Sequence, residues 1–262
     1  MKTIILCGGF GTRLAEETQI KPKPMVEIGD RPILWHIMKI YAWHGFSDFI
    51  LALGYKAECI KDYFLHYHSV TSDLKVHLGT GAVDYANTAA EDWTVEMVDT
   101  GPSSMTGGRL KRLESRLRDG GTFLFTYGDG VSDVNVREAL AFHKRHGKLA
   151  TVTAVRPPAR FGAMTFDGDR VAGFKEKVQA AEGWINGGYF IMEPGVFDYL
   201  DGDASILEEA PLERLAADGQ LMAYKHDGFW QCMDTLRDKN HLDAAWRSGR
   251  AKWKIWDDGA KP

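Results

Sequence analysis

A glycine-rich segment with a basic residue follows the first apolar run of the sequence. Residues 4–14 read IILCGGFGTRL, so that three glycines precede a Thr-Arg pair. Glycine lets backbone N–H groups approach a ligand closely, and that ligand is most often a phosphate. We therefore interpret the segment as a candidate phosphate-binding loop, with a simple tight turn as the alternative.

Two familiar phosphate-binding signatures do not fit this loop. The dinucleotide pattern G-x-G-x-x-G can start at Gly9, but its third glycine position is Leu14. The P-loop pattern needs Gly-Lys-Ser/Thr, whereas Gly11 is followed by Thr12 and Arg13. A nicotinamide-dependent oxidoreductase is therefore a weak hypothesis, and a phosphate would have to be held in another way.

A lysine and an aspartate farther along the chain could act beside such a loop. Lys23 lies between Pro22 and Pro24, which favour an extended segment and restrict where the ammonium group points. Asp129 lies between two glycines after the apolar stretch 123–127. Carboxylates at the carboxyl ends of parallel strands face the ligand crevice. The alternatives are a solvated basic patch for Lys23 and an ordinary turn residue for Asp129.

The elements that must position these residues alternate between apolar runs and amphipathic stretches. This alternation predicts an α/β fold with a Rossmann-like, mixed but mostly parallel sheet flanked by helices. Predicted strands cover 3–6, 48–55, 74–78, 122–131 and 149–155, and predicted helices cover 32–45, 57–68, 108–118 and 134–146.

The pattern changes after Pro157-Pro158, where a smaller antiparallel extension is predicted. No linker or internal repeat is evident, so we expect residues 1–262 to form a single domain. The predicted elements of this part are a hairpin over 161–177, a strand over 185–192 and helices over 208–218 and 235–248.

Composition limits the function classes. The formal net charge is −4, from 32 basic and 36 acidic residues, and no long run of one sign occurs. This argues against a nucleic-acid partner, which usually meets a basic face. The opening apolar run is too short for a signal sequence, and no later segment reaches 18 uninterrupted apolar residues. We therefore expect no membrane segment.

The cysteines and histidines show no metal-binding pattern. Cys7, Cys59 and Cys232 lack Cys-x-x-Cys spacing, which favours free thiols packed as small apolar groups in a reducing, cytoplasmic compartment. A close pair, His143 and His146, lacks a Cys or carboxylate at ligand spacing. We expect both to be polar groups on the surface of a helix.

Six stretches of the sequence together resemble the sugar-nucleotide pyrophosphorylases, a nucleotidyltransferase family. Three features, KPKPMVEIG (21–29), SSMTGGRLKR (103–112) and FWxxMDTLRDK (229–239), resemble the glucose-1-phosphate cytidylyltransferases in particular. The stretches are LCGGFGTRL (6–14), KPKPMVEIGDRPILWHIM (21–38), VDTGPSSMTGGRLKR (98–112), FLFTYGDGV (123–131), INGGYF (185–190) and FWQCMDTLRDK (229–239).

The resemblance implies a reaction. A cytidylyl group would pass from CTP to glucose 1-phosphate, with Mg²⁺ as cofactor and CDP-glucose and pyrophosphate as products, for deoxysugar or polysaccharide biosynthesis. The sugar phosphate is already ionised near neutral pH, so in-line attack on the α-phosphorus needs cations, backbone donors and a metal, and no general base. Residues 1–156 would bind the nucleotide, and residues 157–262 would bind the sugar and form the C-terminal part.

By the same resemblance, two cations would be catalytic. Arg13 would contact the β- and γ-phosphates, and Lys23 would lie between the α-phosphate and the sugar phosphate. Asp129 and Asp234 would hold Mg²⁺, which prefers one or two carboxylates with phosphate oxygens and water. From the sequence alone, Asp234 could equally cap the helix predicted at 235–248.

The resemblance also assigns the residues that would bind substrate. Glu176, Lys177 and Asn186 would hold the sugar, and a charged hairpin with a turn asparagine is the alternative. The loop that carries Ser104 would cover the base and ribose. The nucleotide-binding residues would be Leu6, Cys7, Gly8, Gly9, Phe10, Gly11, Thr12, Arg13, Lys23, Ser104, Thr106, Gly107, Arg109 and Gly128.

Two further hypotheses stay open. A uridylyl- or thymidylyltransferase would share everything except the loop that reads the base. A catalytically silent subunit that binds nucleotide sugars would not need Arg13, Lys23, Asp129 and Asp234 together, so their joint presence argues against it.

Assembly is the last property that the sequence addresses. The relatives are oligomers, which implies a homo-oligomer for this chain. Trp246, Trp253 and Trp256 form no chemical motif. We expect these aromatic residues to pack a C-terminal tail, within the chain or across a subunit boundary.

Overall fold

A computed structural model describes residues 1–157, 163–167, 170–175 and 183–257. Its strands, in chain order, are β1 (Lys2–Cys7), β2 (Glu27–Ile28), β3 (Arg31–Pro32), β4 (Asp48–Leu53), β5 (Asp73–His77), β6 (Ala82–Ala86), β7 (Thr94–Asp99), β8 (Phe123–Tyr127), β9 (Gly130–Ser132), β10 (Ala150–Val155), β11 (Ala163–Asp167), β12 (Arg170–Lys175), β13 (Ile185–Met192), β14 (Leu221–His226) and β15 (Trp230–Cys232).

Helices lie between most of these strands. They are α1 (Ala15–Thr18), α2 (Ile33–Trp43), α3 (Ala57–Val70), α4 (Thr106–Lys111), α5 (Glu114–Leu117), α6 (Val136–His146), α7 (Ala210–Ala217) and α8 (Leu236–Arg247). Three short 3₁₀ turns cover Thr12–Leu14, Lys23–Met25 and Pro194–Tyr199.

The central sheet has seven strands in the order β14-β10-β13-β8-β1-β4-β7. β13 pairs antiparallel with both of its neighbours, and every other neighbouring pair is parallel. The predicted α/β fold with a mixed, mostly parallel sheet is therefore confirmed. The antiparallel strand β13 lies inside the central sheet and is not part of a separate extension. Within the described part of 157–262, the two strands that pair with each other in a small antiparallel sheet are β11 and β12.

Both faces of the central strands β1, β4 and β8 are buried, which explains their continuous apolar runs. On β1, Ile5 packs into the core under α2 and α8, while its neighbours Ile4 and Leu6 point to the opposite face. The second core lies under α4, α5 and α7. Because successive side chains of a strand point to opposite faces, β1 contributes to both cores. The result is a three-layer arrangement of helices, sheet and helices.

The strand order creates a crevice at the carboxyl ends of β1 and β8. The chain steps outward from β1 to β4 and β7, and then returns to β8 on the other side of β1. Open α/β sheets bind ligands where the strand order reverses in this way. The glycine loop follows β1, and Asp129 follows β8, so both candidate segments lie at this crevice.

Two local predictions need correction. The helix predicted at 108–118 begins two residues earlier and is interrupted after Lys111, where the amide of Leu113 bonds to the carbonyl of Leu110 in a tighter turn. His143 is buried: its Nδ1 lies 2.8 Å from Thr151 Oγ1 and its Nε2 lies 3.2 Å from a carboxylate oxygen of Glu193. The prediction that His143 lies on the surface of the helix is wrong, because α6 packs this face against β10.

Candidate active site

The glycine loop makes a sharp turn immediately after β1. Gly11 has φ +64° and ψ 31°, and a Cβ at this position would lie 2.8 Å from the methyl carbon of Thr18 and 3.2 Å from Lys23 Cβ. A side chain is therefore excluded by backbone strain and by lack of space. Gly9 has open space where a Cβ would be. The loop thus presents backbone to the crevice, as the sequence predicts for a phosphate-binding segment.

Lys23 is held in a 3₁₀ turn between its two prolines. Pro22 has an extended backbone, and the amide of Met25 donates to the carbonyl of Pro22 at 2.8 Å. Lys23 is 9% exposed, and its ammonium group donates to Asp129 Oδ2 at 2.7 Å and to Asp234 Oδ1 at 2.6 Å. The extended conformation predicted from the flanking prolines is therefore wrong for Lys23, which lies at the start of a 3₁₀ turn because the amide of Met25 bonds back to Pro22. This turn directs the ammonium group at two carboxylates.

A two-stranded sheet brings these carboxylates together, although 104 residues separate them. β9 pairs antiparallel with β15, with Gly130 opposite Cys232, and the amide of Met233 donates to the carbonyl of Asp129 at 2.8 Å. Thr235, and not Asp234, is the N-cap of α8, because its side chain accepts the amide of Asp238 in a capping box. The carboxylate of Asp234 therefore does not cap the helix. It accepts hydrogen bonds from Lys23 and from Arg13 Nη1, the latter at 2.8 Å.

The charges in this cluster stabilise one another. Burial by itself would lower the pKa of Lys23, but the charge of Asp129 and hydrogen bonds to both carboxylates outweigh it, so the pKa is raised above its ordinary value. Burial would raise the pKa of Asp234, yet hydrogen bonding to Lys23 and the charges of Lys23 and Arg13 lower it. Lys23 and Asp234 are therefore both ionised at neutral pH.

Two cavities meet at this cluster. A first cavity of about 400 Å³ lies over the glycine loop and extends to residues 102–106. A second of about 250 Å³ lies beside β13 and β15 and includes Asn186. Arg13, Tyr127 and Asp129 line both cavities. Two small polar molecules bound in them would therefore meet next to the Lys23–carboxylate cluster.

A family model for nucleotidyl transferases matches residues 2–246, which include every residue of this cluster. The chain belongs to the nucleotidyl transferase family. It is 52% identical over 257 residues to a glucose-1-phosphate cytidylyltransferase of Salmonella typhi, covering 98% of this chain and 100% of that protein. A probable glucose-1-phosphate cytidylyltransferase of Bacillus subtilis is 42% identical with the same coverage.

Solved structures support the fold of this nucleotidyltransferase. HddC from Yersinia pseudotuberculosis superposes with a TM-score of 0.68 at 21% identity, covering 94% of this chain and 99% of that one. Likeness at this identity concerns the fold alone. None of the helices in the described ranges has the length and apolar character needed to cross a lipid bilayer.

Most of the residues predicted to bind nucleotide line the first cavity. Two do not: Cys7 is buried in the core under the sheet, and Gly107 packs against the backbone of Ser205. The predicted residues that line it are Leu6, Gly8, Gly9, Phe10, Gly11, Thr12, Arg13, Lys23, Ser104, Thr106, Arg109 and Gly128.

Arg109 shapes this cavity mainly by hydrogen bonding to the backbone of the loops that surround it. Its guanidinium group is buried and donates to the carbonyl oxygens of Gly8 at 2.9 Å, Leu53 at 3.0 Å and Gly101 at 2.7 Å. These three carbonyls belong to the glycine loop, the end of β4 and the loop after β7. One side chain thus fastens three loops of the nucleotide-side cavity.

On the sugar side, one predicted residue can be placed. Asn186 lies at the second cavity, where its Oδ1 accepts the amide of Gly188 at 2.8 Å and its Nδ2 lies 3.4 Å from the hydroxyl of Tyr127. The predicted sugar-binding residues Glu176 and Lys177 lie outside the described residues.

Nucleotidyltransferases of this family typically use a divalent metal, and the carboxylate pair fits one. Asp129 and Asp234 already accept hydrogen bonds from the same ammonium group, which shows that both can face one cation. Their oxygens are the hard donors that such ions prefer. No group of three or more His, Cys, Asp or Glu suited to a metal occurs in the ranges that the structure covers. A metal here would therefore need phosphate oxygens and water as its remaining ligands.

Sequence reasoning missed Tyr127 and Trp230. Tyr127 lines both cavities, and the indole Nε1 of Trp230 donates to the carbonyl of Gly187 at 2.7 Å. Tyr127 directly precedes the Gly-Asp pair at 128–129, so its position at a strand end was the available signal. Nothing in the sequence around Trp230 indicates a contact with β13.

Proposed function

We propose that this chain transfers a cytidylyl group from CTP to α-D-glucose 1-phosphate and releases pyrophosphate, with CDP-glucose as the product. The observation that carries the proposal is the Lys23 ammonium group, fixed by Asp129 and Asp234 where two substrate-sized cavities meet. The cytidylyltransferase relatives, at 52% and 42% identity over nearly the full chain, support the choice of nucleotide and sugar phosphate.

The residues would act by positioning and neutralising charge. The glycine loop and Arg109 would shape the triphosphate site. Arg13, whose side chain is 73% exposed, would turn from Asp234 to contact the β- and γ-phosphates. Lys23 would contact the α-phosphate and the sugar phosphate, where negative charge accumulates during in-line attack. No general base is assigned, since the attacking phosphate oxygen is ionised at neutral pH.

We propose Mg²⁺ as the cofactor, held by Asp129 and Asp234. When bound, Mg²⁺ supplies positive charge that neutralises the phosphoryl group and the departing pyrophosphate. Asp129 and Asp234 keep Lys23 charged and aimed in its absence. The sugar would lie in the second cavity and contact Asn186, with Glu176 and Lys177 as further sugar-binding residues. The nucleotide would contact the 1–156 part of a single domain.

Pyrophosphate release tests this proposal. Wild-type protein would be assayed with glucose 1-phosphate and Mg²⁺, and with CTP, UTP, dTTP and ATP in separate reactions. We expect the highest kcat/KM with CTP and CDP-glucose as the isolated product. A clear preference for UTP or dTTP would establish the alternative base, and no turnover with any triphosphate would favour a silent nucleotide-sugar-binding subunit.

We also infer that the chain forms a homo-oligomer through the β5–β6 hairpin. One face of this hairpin is apolar, because Leu74 lies opposite Tyr85 and Val76 opposite Val83. These four side chains are 41–47% exposed, and nearby Leu78 is 93% exposed. Large exposed apolar patches mark interaction sites.

A second copy of this chain is the occupant that the hairpin suits. Its opposite face carries Asp73 beside the Lys75–Asp84 pair, so the polar side has both signs of charge and no strong excess that would call for an acidic or basic partner. An identical hairpin would cover the apolar side with matching alternation and the same strand twist.

We place the reaction in the cytoplasm, consistent with three free cysteines and phosphorylated substrates.

A further inference from the structure

Four side chains form a continuous line of hydrogen bonds between the two cavities. Thr106, beside the first cavity, donates from Oγ1 to Glu208 Oε2 at 2.6 Å. The hydroxyl of Tyr127 donates a short hydrogen bond to Glu208 Oε1. Asn186, at the second cavity, directs its Nδ2 to the same hydroxyl at 3.4 Å. Glu208 therefore accepts one donor from a residue at the first cavity and one from Tyr127, which lines both cavities and contacts Asn186 at the second.

The backbone around Glu208 supports the loop that carries Thr106. The amide of Met105 donates to the carbonyl of Asp203 at 2.9 Å, and the amide of Gly108 donates to the carbonyl of Ser205 at 3.1 Å. A Cβ at Gly108 would lie 2.3 Å from the carbonyl oxygen of Asp203, so only glycine allows this approach. The start of α4 and the segment before α7 consequently form one packed unit.

Tyr127 connects this unit to the sugar side. Its ring lies against Gly188 of β13, where φ is +80° and a Cβ would come within 2.6 Å of the ring. Burial, followed by the nearby charge of Glu208, raises the pKa of Tyr127 well above its ordinary value. The hydroxyl therefore remains protonated and remains a donor to Glu208 over the working range of the protein.

We propose that Glu208 is a positioning residue that couples nucleotide binding to sugar phosphate binding. The inference rests on the proposed cytidylyl transfer. Because one carboxylate fixes both Thr106 and Tyr127, a shift of the nucleotide loop moves the hydroxyl against which Asn186 is placed. Substrate bound on either side thus favours the geometry that the other side needs.

Initial rates measured over a grid of CTP and glucose 1-phosphate concentrations test the coupling. For Glu208→Ala we expect both KM values to rise on the order of tenfold, since a charged hydrogen-bond acceptor for two donors is lost. The factor by which saturating CTP lowers the KM for glucose 1-phosphate should fall toward one. The kcat should change less than either KM, because Glu208 does not line the cavities.

Matched variants separate this role from a loss of folding. Glu208→Gln keeps the size of the side chain and one acceptor oxygen, so we expect an intermediate rise in both KM values. Tyr127→Phe combined with Glu208→Ala should be no worse than the more damaging single change, because both remove the same link. The exposed neighbour Glu209 serves as the control, and Glu209→Ala should leave both KM values unchanged.

Two results would overturn the inference. One is a Glu208→Ala protein with wild-type KM values, and the other is a uniform loss of kcat with the CTP effect on glucose 1-phosphate intact. If Glu208→Ala does not fold, the Glu208→Gln and Tyr127→Phe proteins decide the question by the same grid. Failure of the proposed function is distinguishable, because the wild-type protein itself would then make no CDP-glucose.

Discussion

Lys23 is the residue whose loss should affect catalysis most directly. We expect Lys23→Met to lower kcat/KM for pyrophosphate release on the order of 10²-fold or more, because a preorganised cation is removed from the position where charge accumulates. Lys21 provides a matched control in the same Lys-Pro-Lys-Pro segment, since it pairs with the exposed Glu27 at 2.9 Å. Lys21→Met should keep near wild-type activity. Equal activity in the two variants would remove Lys23 from the mechanism.

Asp129 should matter through the metal as well as through Lys23. Asp129→Ala should abolish turnover at ordinary Mg²⁺ concentrations, since one carboxylate holds Mg²⁺ weakly. Titration of Mg²⁺ against initial rate measures the effect, and thermal unfolding checks that the protein is folded. Asp119, an exposed residue on another loop, is the control, and Asp119→Ala should titrate like wild type. Wild-type Mg²⁺ dependence in Asp129→Ala would rule out a metal-binding role.

At the scale of elements, the C-terminal tryptophans pack against α2 of their own chain. His36 on α2 donates from Nε2 to the carbonyl of Ile28 at 2.9 Å and accepts the indole N–H of Trp253 at Nδ1, 3.4 Å away. Trp253 is fully buried and Trp256 is 3% exposed. The sequence left open whether this tail crosses a subunit boundary, and the structure places it in the core.

This packing predicts how stability depends on pH. Burial lowers the pKa of His36 to about 4, below the ordinary value of 6.5. Between these values the unfolded chain binds a proton that the folded chain does not, so stability is lost as pH falls through that window, by about 3 kcal/mol in total. Denaturant unfolding of wild type and His36→Gln at pH 7 and pH 4.5 measures the difference.

The His36→Gln variant isolates the contribution of His36 to the pH dependence of stability. His36→Gln keeps a donor for Ile28 but cannot be protonated, so its free energy of unfolding should decrease less than that of wild type on acidification. All other titratable groups are the same in the two proteins, so their contributions cancel in the difference. Parallel decreases in the two proteins would show that His36 does not set the acid sensitivity.

For the whole molecule, the sequence predicted the positions of those strands that are marked by local apolar patterns. The alternation of apolar runs placed β1, β4, β8 and β10 correctly, and the strand predicted at 185–192 has those bounds. It could not predict that β13 enters the central sheet antiparallel, or that β14 forms its edge, because strand pairing is decided by tertiary packing.

The candidate site shows the same division. Glycine and proline constraints act over a few residues, so the loop at 8–11 and the segment around Lys23 could be recognised directly. Asp234 was reached only through a family resemblance, because its approach to Asp129 depends on the β9–β15 pairing. Glu208 gave no signal, since its partners Thr106 and Tyr127 are distant in sequence.

The apolar face of the β5–β6 hairpin predicts how a substitution there changes assembly. If the apolar face of the β5–β6 hairpin is covered by a second copy, Val76→Lys should lower the molar mass measured by light scattering after size exclusion, because a charge would be buried in the contact. Period-two alternation supplies the control: Lys75 lies on the opposite face, so Lys75→Ser should leave the mass unchanged. A wild-type monomer at micromolar concentration, or equal masses for wild type and Val76→Lys, would contradict the proposed interface.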